Sequence, residues 1–71
     1  MTYYGIVKTF NEKEGFGFIE LPDFPEEDDI FVHFSALRHL DQTSLEVGQK
    51  VQFEIAQGKR GPQAVNIELG Y

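Results

Sequence analysis

Cysteine is absent from this 71-residue chain, and so is tryptophan. Without thiols there is no disulfide, no thiolate metal site and no cysteine nucleophile. Two histidines, His33 and His39, are too few for an ordinary zinc site. Thr9, Ser35 and Ser44 lack an evident base with an orienting acid, and no phosphate-cradling loop of the Walker type is present. Gly15-Phe16-Gly17 is too short for a dinucleotide fingerprint and leads into a strand rather than a helix. The expectation is a protein that is not an enzyme, with no metal, no cofactor and no small-molecule substrate. The start, Met1-Thr2-Tyr3-Tyr4-Gly5, has neither a basic region nor an apolar run, so no signal peptide or membrane span is expected. A cytoplasmic setting follows as the default, and the missing cysteine fits a reducing compartment.

Basic residues are also scarce, six against twelve acids, for a net charge of −6. The imbalance is local. Residues 20–29 hold Glu20, Asp23, Glu26, Glu27, Asp28 and Asp29 and no base, and the other 61 residues are balanced, six against six. Such a run reads first as a solvated loop, and second as a surface that repels phosphates or recruits a basic partner.

Seven phenylalanines are a large apolar stock for one small domain, which must be held by packing alone. Two segments place them tellingly. In Gly15-Phe16-Gly17-Phe18-Ile19, strand alternation puts Phe16 and Phe18 on one face and Ile19 on the other. In Ile30-Phe31-Val32-His33-Phe34, Phe31 and His33 share a face, while Ile30, Val32 and Phe34 take the opposite one. If the aliphatics face the core, Phe16, Phe18, Phe31 and His33 face water. Exposed rings on a sheet need a reason, and the best physical fit is a platform on which unpaired nucleotide bases stack.

The rest of the chain reads as short strands divided by turn chemistry. A first strand is expected over about Thr2 to Asn11. Its adjacent Ile6 and Val7 break the alternation, which a bulge or a strong twist would repair. A second runs from about Gly15 to Leu21, where Pro22 ends it. A third spans about Asp29 to Phe34, followed by one helical turn at Ser35-Ala36-Leu37-Arg38 with Ser35 as its cap. In the fourth strand Val47, Val51, Phe53 and Ile55 are expected on the inner face. After a turn at Gly58-Lys59-Arg60-Gly61-Pro62, the fifth is expected to point Val65, Ile67 and Leu69 inward and Ala64, Asn66 and Glu68 outward. Five short strands close best on themselves, which predicts an all-β, small five-stranded antiparallel barrel forming one domain over residues 1–71.

Lys8-Thr9-Phe10-Asn11, Glu14-Gly15-Phe16-Gly17-Phe18-Ile19, Ile30-Phe31-Val32-His33-Phe34-Ser35-Ala36-Leu37 and Gly58-Lys59-Arg60-Gly61-Pro62-Gln63-Ala64 together resemble the bacterial cold-shock proteins. The resemblance covers nearly the whole chain. It implies a barrel of the oligonucleotide-binding type, partners that are single-stranded RNA and DNA, and RNA-chaperone or antitermination roles; a monomer is the default expectation. It further implies a binding face of Lys8, Phe16, Phe18, Phe31, His33 and Phe34 with Arg60 in a flanking loop, and Phe10 and Asp29 beside them. Phe34, inward by parity, joins that face only by the resemblance. Three positions depart from the pattern. Thr9 stands where a tryptophan is usual, Glu14 where a lysine is usual, and Gln42 about where many members place a further aromatic. Each stacked base is worth roughly 1–3 kcal/mol, so a weaker binder than a typical member is expected. Two other readings stay open: a degenerate barrel that binds protein through its acidic loop, and a ribosome-associated barrel of the S1 type.

Overall fold

A computed structural model describes residues 1–40, 42, 44–59 and 61–70, without the side chains of Arg38 and His39. Five strands are present: β1 (Tyr3–Asn11), β2 (Phe16–Glu20), β3 (Ile30–His33), β4 (Lys50–Gly58) and β5 (Gly61–Leu69). They close into a barrel in the order β1-β2-β3-β5-β4. Four of the five pairings are antiparallel, and β3 with β5 is parallel. The expected barrel is therefore correct, with one parallel seam. Strand directions cannot alternate all the way round a ring of odd number, so a closed five-stranded barrel needs such a seam.

Each strand sends aliphatic or aromatic side chains inward. The core is Val7, Ile19, Leu21, Ile30, Val32, Leu37, Leu45, Val51, Phe53, Ala64 and Ile67. No polar side chain is buried among the described residues. Burying one Leu, Ile, Val or Phe contributes about 1.5–3 kcal/mol, and without cysteine this packing carries the fold.

The irregularity expected in β1 is a bulge at Lys8. Val7 pairs with Ile19, and Thr9 pairs with Phe18, which leaves Lys8 as the extra residue. The bulge lets Val7 point inward while Lys8 and Thr9 both stay exposed.

Three sequence expectations need correction. Val47 is not an inward residue of β4. It is exposed and lies in a turn closed by the Gln49 N–H donating to the Glu46 carbonyl, with Gly48 at φ 90°. Strand parity does not carry through that turn. In β5, Ala64 and Ile67 are the buried residues, while Leu69 is exposed. Gln52 pairs with Glu68 and Glu54 with Val65, so Asn66 and Ile67 together oppose Phe53. Asn66 absorbs the extra residue at φ 52°, a region asparagine tolerates better than most residues, and donates from Nδ2 to the Glu54 carboxylate at 2.7 Å. The side-chain alternation changes phase there. The helical turn after β3 is a 3₁₀ segment over Phe34–Leu40, so Ser35 lies within it rather than capping it.

Candidate functional site

The side chains of β2 and β3 that point away from the core form one aromatic surface. Phe18 pairs with Phe31 and Phe16 with His33, which puts all four on one face. Ring centroids of Phe16 and Phe31 lie 5.7 Å apart at 29°, a stacked pair. Phe18 meets Phe16 at 6.4 Å and 86° and Phe31 at 6.0 Å and 71°, edge-on to both. Such contacts add roughly 0.5–1.5 kcal/mol per pair beyond burial. The three rings therefore support one another and stand preorganised. Phe16 and Phe31 are half-buried, and Phe18 is 37% exposed.

Gly17 explains why this surface sits so close to β1. A β-carbon there would run into the Thr9 carbonyl and lie 2.7 Å from the Phe10 Cα. Only glycine permits that approach, and it brings Thr9 opposite Phe18 and Asn11 opposite Phe16. Thr9 thus occupies the place beside Phe18 where a further ring would extend the platform.

Phe34 is on the same surface for a reason parity does not contain. The strand ends at His33, and the 3₁₀ turn swings the next residue outward. Its backbone N–H donates to the Gly15 carbonyl at 2.8 Å. Gly15 has φ 78°, and a β-carbon on it would lie 2.7 Å from the Phe34 ring. Glycine therefore serves twice here, as the left-handed turn residue and as the floor under the ring. Phe34 is 38% exposed, and its ring centroid is 4.6 Å from that of His33.

His33 is held from the other side. Its Nδ1 lies 2.9 Å from the Ser35 hydroxyl and accepts the Ser35 backbone N–H at 3.3 Å. In the neutral ring Nδ1 is then the acceptor, and Nε2 carries the proton.

Lys8 stands at the edge of the surface, and Asp29 lies against it, Nζ to carboxylate oxygen 3.3 Å. The lysine charge is thus partly cancelled before any ligand arrives. Phe10 does not join the platform. It pairs with Gly17, on the inner side of the barrel wall, and packs against the core. Arg60 lies outside the described residues.

Next to the rings is an open groove of about 530 Å³, lined by Phe16, Phe31, His33, Ser35, Lys59 and Gln63, with Glu14 at its rim. Ser35, read from sequence only as a hydroxyl and a helix cap, joins Lys59 and Gln63 as additions to the expected site. Gln63 enters because the parallel seam pairs it with Phe31, and nothing in the order of residues announces that seam. The short His33-x-Ser35 spacing was a readable signal for the histidine contact. Among the described residues no group of three or more His, Asp or Glu could hold a metal ion, and no helix is long and apolar enough to cross a membrane.

An exposed aromatic sheet face with few charges, on a five-stranded barrel, is geometry suited to nucleic acid, and comparison with known proteins agrees. The family model for the 'Cold-shock' DNA-binding domain matches residues 3–69. The Major cold shock protein CspA of Bacillus cereus is 58% identical over 67 residues, covering 94% of this chain and 96% of that protein. Its namesake in Bacillus anthracis is 57% identical over 67 residues, with the same shares of both chains. Cold shock protein CspA of Staphylococcus saprophyticus is 54% identical over 63 residues, 89% of this chain and 91% of its own. With matched length, barrel topology and aromatic surface in agreement, the chain belongs to the cold-shock domain family and is a nucleic-acid-binding cold-shock protein.

Proposed function

We propose that this protein binds single-stranded RNA and DNA as a monomer and acts as an RNA chaperone. Unpaired bases stack on Phe16, Phe18, Phe31, His33 and Phe34. The observation that carries this reading is the ring cluster on the outer face of β2 and β3, whose three phenylalanines hold one another at 5.7–6.4 Å while the aliphatics fill the barrel. A base in a duplex has both faces covered by its neighbours, whereas an unpaired base offers a free face, so such a surface selects open strands. His33 adds a donor at Nε2 for a base edge. Lys8 and Lys59, with Arg60 next in sequence, supply the few cations for phosphates.

No bond is made or broken. Binding the open strand draws the duplex–strand equilibrium toward it by mass action. Because stacking is sequence-tolerant, preference is mild, toward pyrimidines. A fluorescence titration with oligo-U and oligo-dT tests the binding, and unwinding of a short labelled RNA hairpin tests the chaperone role. Saturable binding to the single strands, with no comparable binding to duplex, is expected. Equal affinity for duplex and single strand would refute the stacking mechanism.

A further inference from the structure

The acidic segment between β2 and β3 meets the edge of the stacking face at Asp29, beside Lys8, and is folded with care along its length. The Phe24 N–H donates to the Leu21 carbonyl at 3.0 Å, and the Glu27 N–H donates to the Phe24 carbonyl at 2.9 Å. Pro22 and Pro25 occupy the second positions of these successive turns, where a fixed φ near −65° suits the geometry. The tandem turns set the Phe24 ring edge-on to Tyr3, centroids 6.5 Å apart at 62°. Tyr3 in turn stacks at 6.2 Å and 24° on Phe53 of the core. Phe24, 43% exposed, thus stands at the end of a column of rings rooted in the barrel.

Beside it opens a mouth of about 430 Å³, walled chiefly by Tyr3, Leu21, Phe24, Ile30, Ile55 and Pro62. It shares no lining residue with the groove at the stacking face. Among its described lining residues Glu27 has the only charged side chain. Asp23, Glu26 and Asp28 are exposed on the same loop. None of these four carboxylates has a cation partner among the described residues.

We propose that this mouth docks a short basic segment of a partner protein. An aliphatic or aromatic side chain seats between Tyr3, Phe24 and Ile55, and flanking lysines or arginines face Asp23, Glu26, Glu27 and Asp28. An apolar hollow with a polar rim is the usual form of an interaction site, and the sign of this rim chooses the occupant. Nucleic acid would bring phosphates to unpaired carboxylates. A second copy of the chain would bring its own acidic loop. A cationic segment gains attraction and apolar burial together. The two proline turns keep the loop ordered before docking, which reduces the entropy lost on binding.

The probe is a short fluorescein-labelled peptide of lysines and arginines around a central leucine–tryptophan pair, titrated into the full chain and followed by anisotropy and by backbone amide shifts. Saturable binding is expected, with shifts at Tyr3, Phe24, Glu27 and Ile55. Replacing the central pair by serines, replacing the cations by glutamates, and Phe24→Ser in the protein should each weaken it by about tenfold or more, the range of an interface anchor. Oligo-U binding to Phe24→Ser should match wild type, which keeps this test separate from the stacking face. No binding, equal binding of the serine peptide, shifts confined to Phe16, Phe18 and Phe31, movement of the mouth residues by oligo-U alone, or a wild-type self-association lost in Phe24→Ser would each overturn the proposal.

Discussion

Asp29→Asn keeps the shape of the side chain and removes the charge that holds Lys8. In the wild type a phosphate reaching for Lys8 must displace a carboxylate oxygen already 3.3 Å from its Nζ. The displaced Asp29 then attracts a cation from solution as the phosphate gives one up, so the exchange releases almost no net counterion. With asparagine in place, the same contact releases the phosphate's counterion in full. For single strands each neutralised phosphate contributes a slope of roughly −0.7 in log K against log salt. Asp29→Asn should therefore steepen the slope by about 0.7. Its effect on affinity is modest, because both side chains are partly in water. A surface ion pair is worth about 0.2–1 kcal/mol, and no longer having to break it strengthens oligo-U binding about 1.4- to 5-fold at low salt.

The assay is a titration of oligo-U across a salt series for wild type, Asp29→Asn, Lys8→Met and the double variant. The gain from Asp29→Asn should vanish in the Lys8→Met background, since there is then no lysine to release. An equal gain in both backgrounds would mean that Asp29 acts by general repulsion of the strand. A loss of affinity in Asp29→Asn would mean that the carboxylate accepts a hydrogen bond from a base, and the exchange reasoning would be refuted.

Phe18→Ala removes the most exposed of the three clustered rings and should weaken oligo-U binding about 5- to 150-fold, one stacked base at roughly 1–3 kcal/mol; unchanged affinity would move the binding face elsewhere. Thr9→Trp places a ring opposite Phe18 and should tighten binding by a similar increment, read by the same titration. Gly15→Ala forces a β-carbon onto a left-handed residue and into the Phe34 ring. It should cost about 1–2 kcal/mol for the backbone alone, seen as a lower urea midpoint, and should also weaken oligo-U binding as Phe34 shifts. The wild-type salt slope for oligo-U should be shallower than about −4, and a steeper one would show that phosphates rather than rings carry the affinity.

Much of the barrel was legible because the strands obey period two wherever one face is buried. Phe16 against Ile19 and Phe31 against Val32 suffice to orient β2 and β3, and the Ile6-Val7 irregularity announced a bulge. Parity failed where the backbone left the extended state. Val47 sits in a turn made by Gly48, Asn66 takes an extra residue in β5, and Phe34 opens a 3₁₀ segment. A left-handed φ at one residue resets the alternation for all that follow, and nothing in a local pattern of apolar residues reports it. Phe34 reached the face by resemblance, and the structure supplies the cause in Gly15. Phe10 went the other way: it lies next in sequence to Thr9, but the bulge and Gly17 send it inward. Gln63 depends on the parallel seam, a consequence of closing an odd number of strands, which is a property of the ring and of no single segment.

The location of the charges decides how a protein with twice as many acids as bases can hold a polyanion. Four of the unpaired carboxylates are gathered on the loop at the barrel mouth, and a fifth acid, Asp29, is spent on Lys8. The platform itself is rings, and among the described residues lining its groove Glu14 is the one carboxylate. At physiological salt the screening length is about 8 Å, so Glu27 and Asp28, which share a hollow with Lys8, act on a phosphate at Lys8, while Asp23 and Glu26 lie outside that hollow and contribute little there. Lowering the salt lengthens that reach to about 30 Å at 0.01 M, and the loop then enters the balance. Below some ionic strength the usual gain of a nucleic-acid binder should level off or reverse here, where a basic domain would keep tightening. Neutralising the carboxylates away from Lys8 with Asp23→Asn and Glu26→Gln should restore the gain without changing affinity at physiological salt. If those substitutions strengthen binding equally at both salts, the loop lies within reach of the bound strand, and the separation of the two surfaces fails.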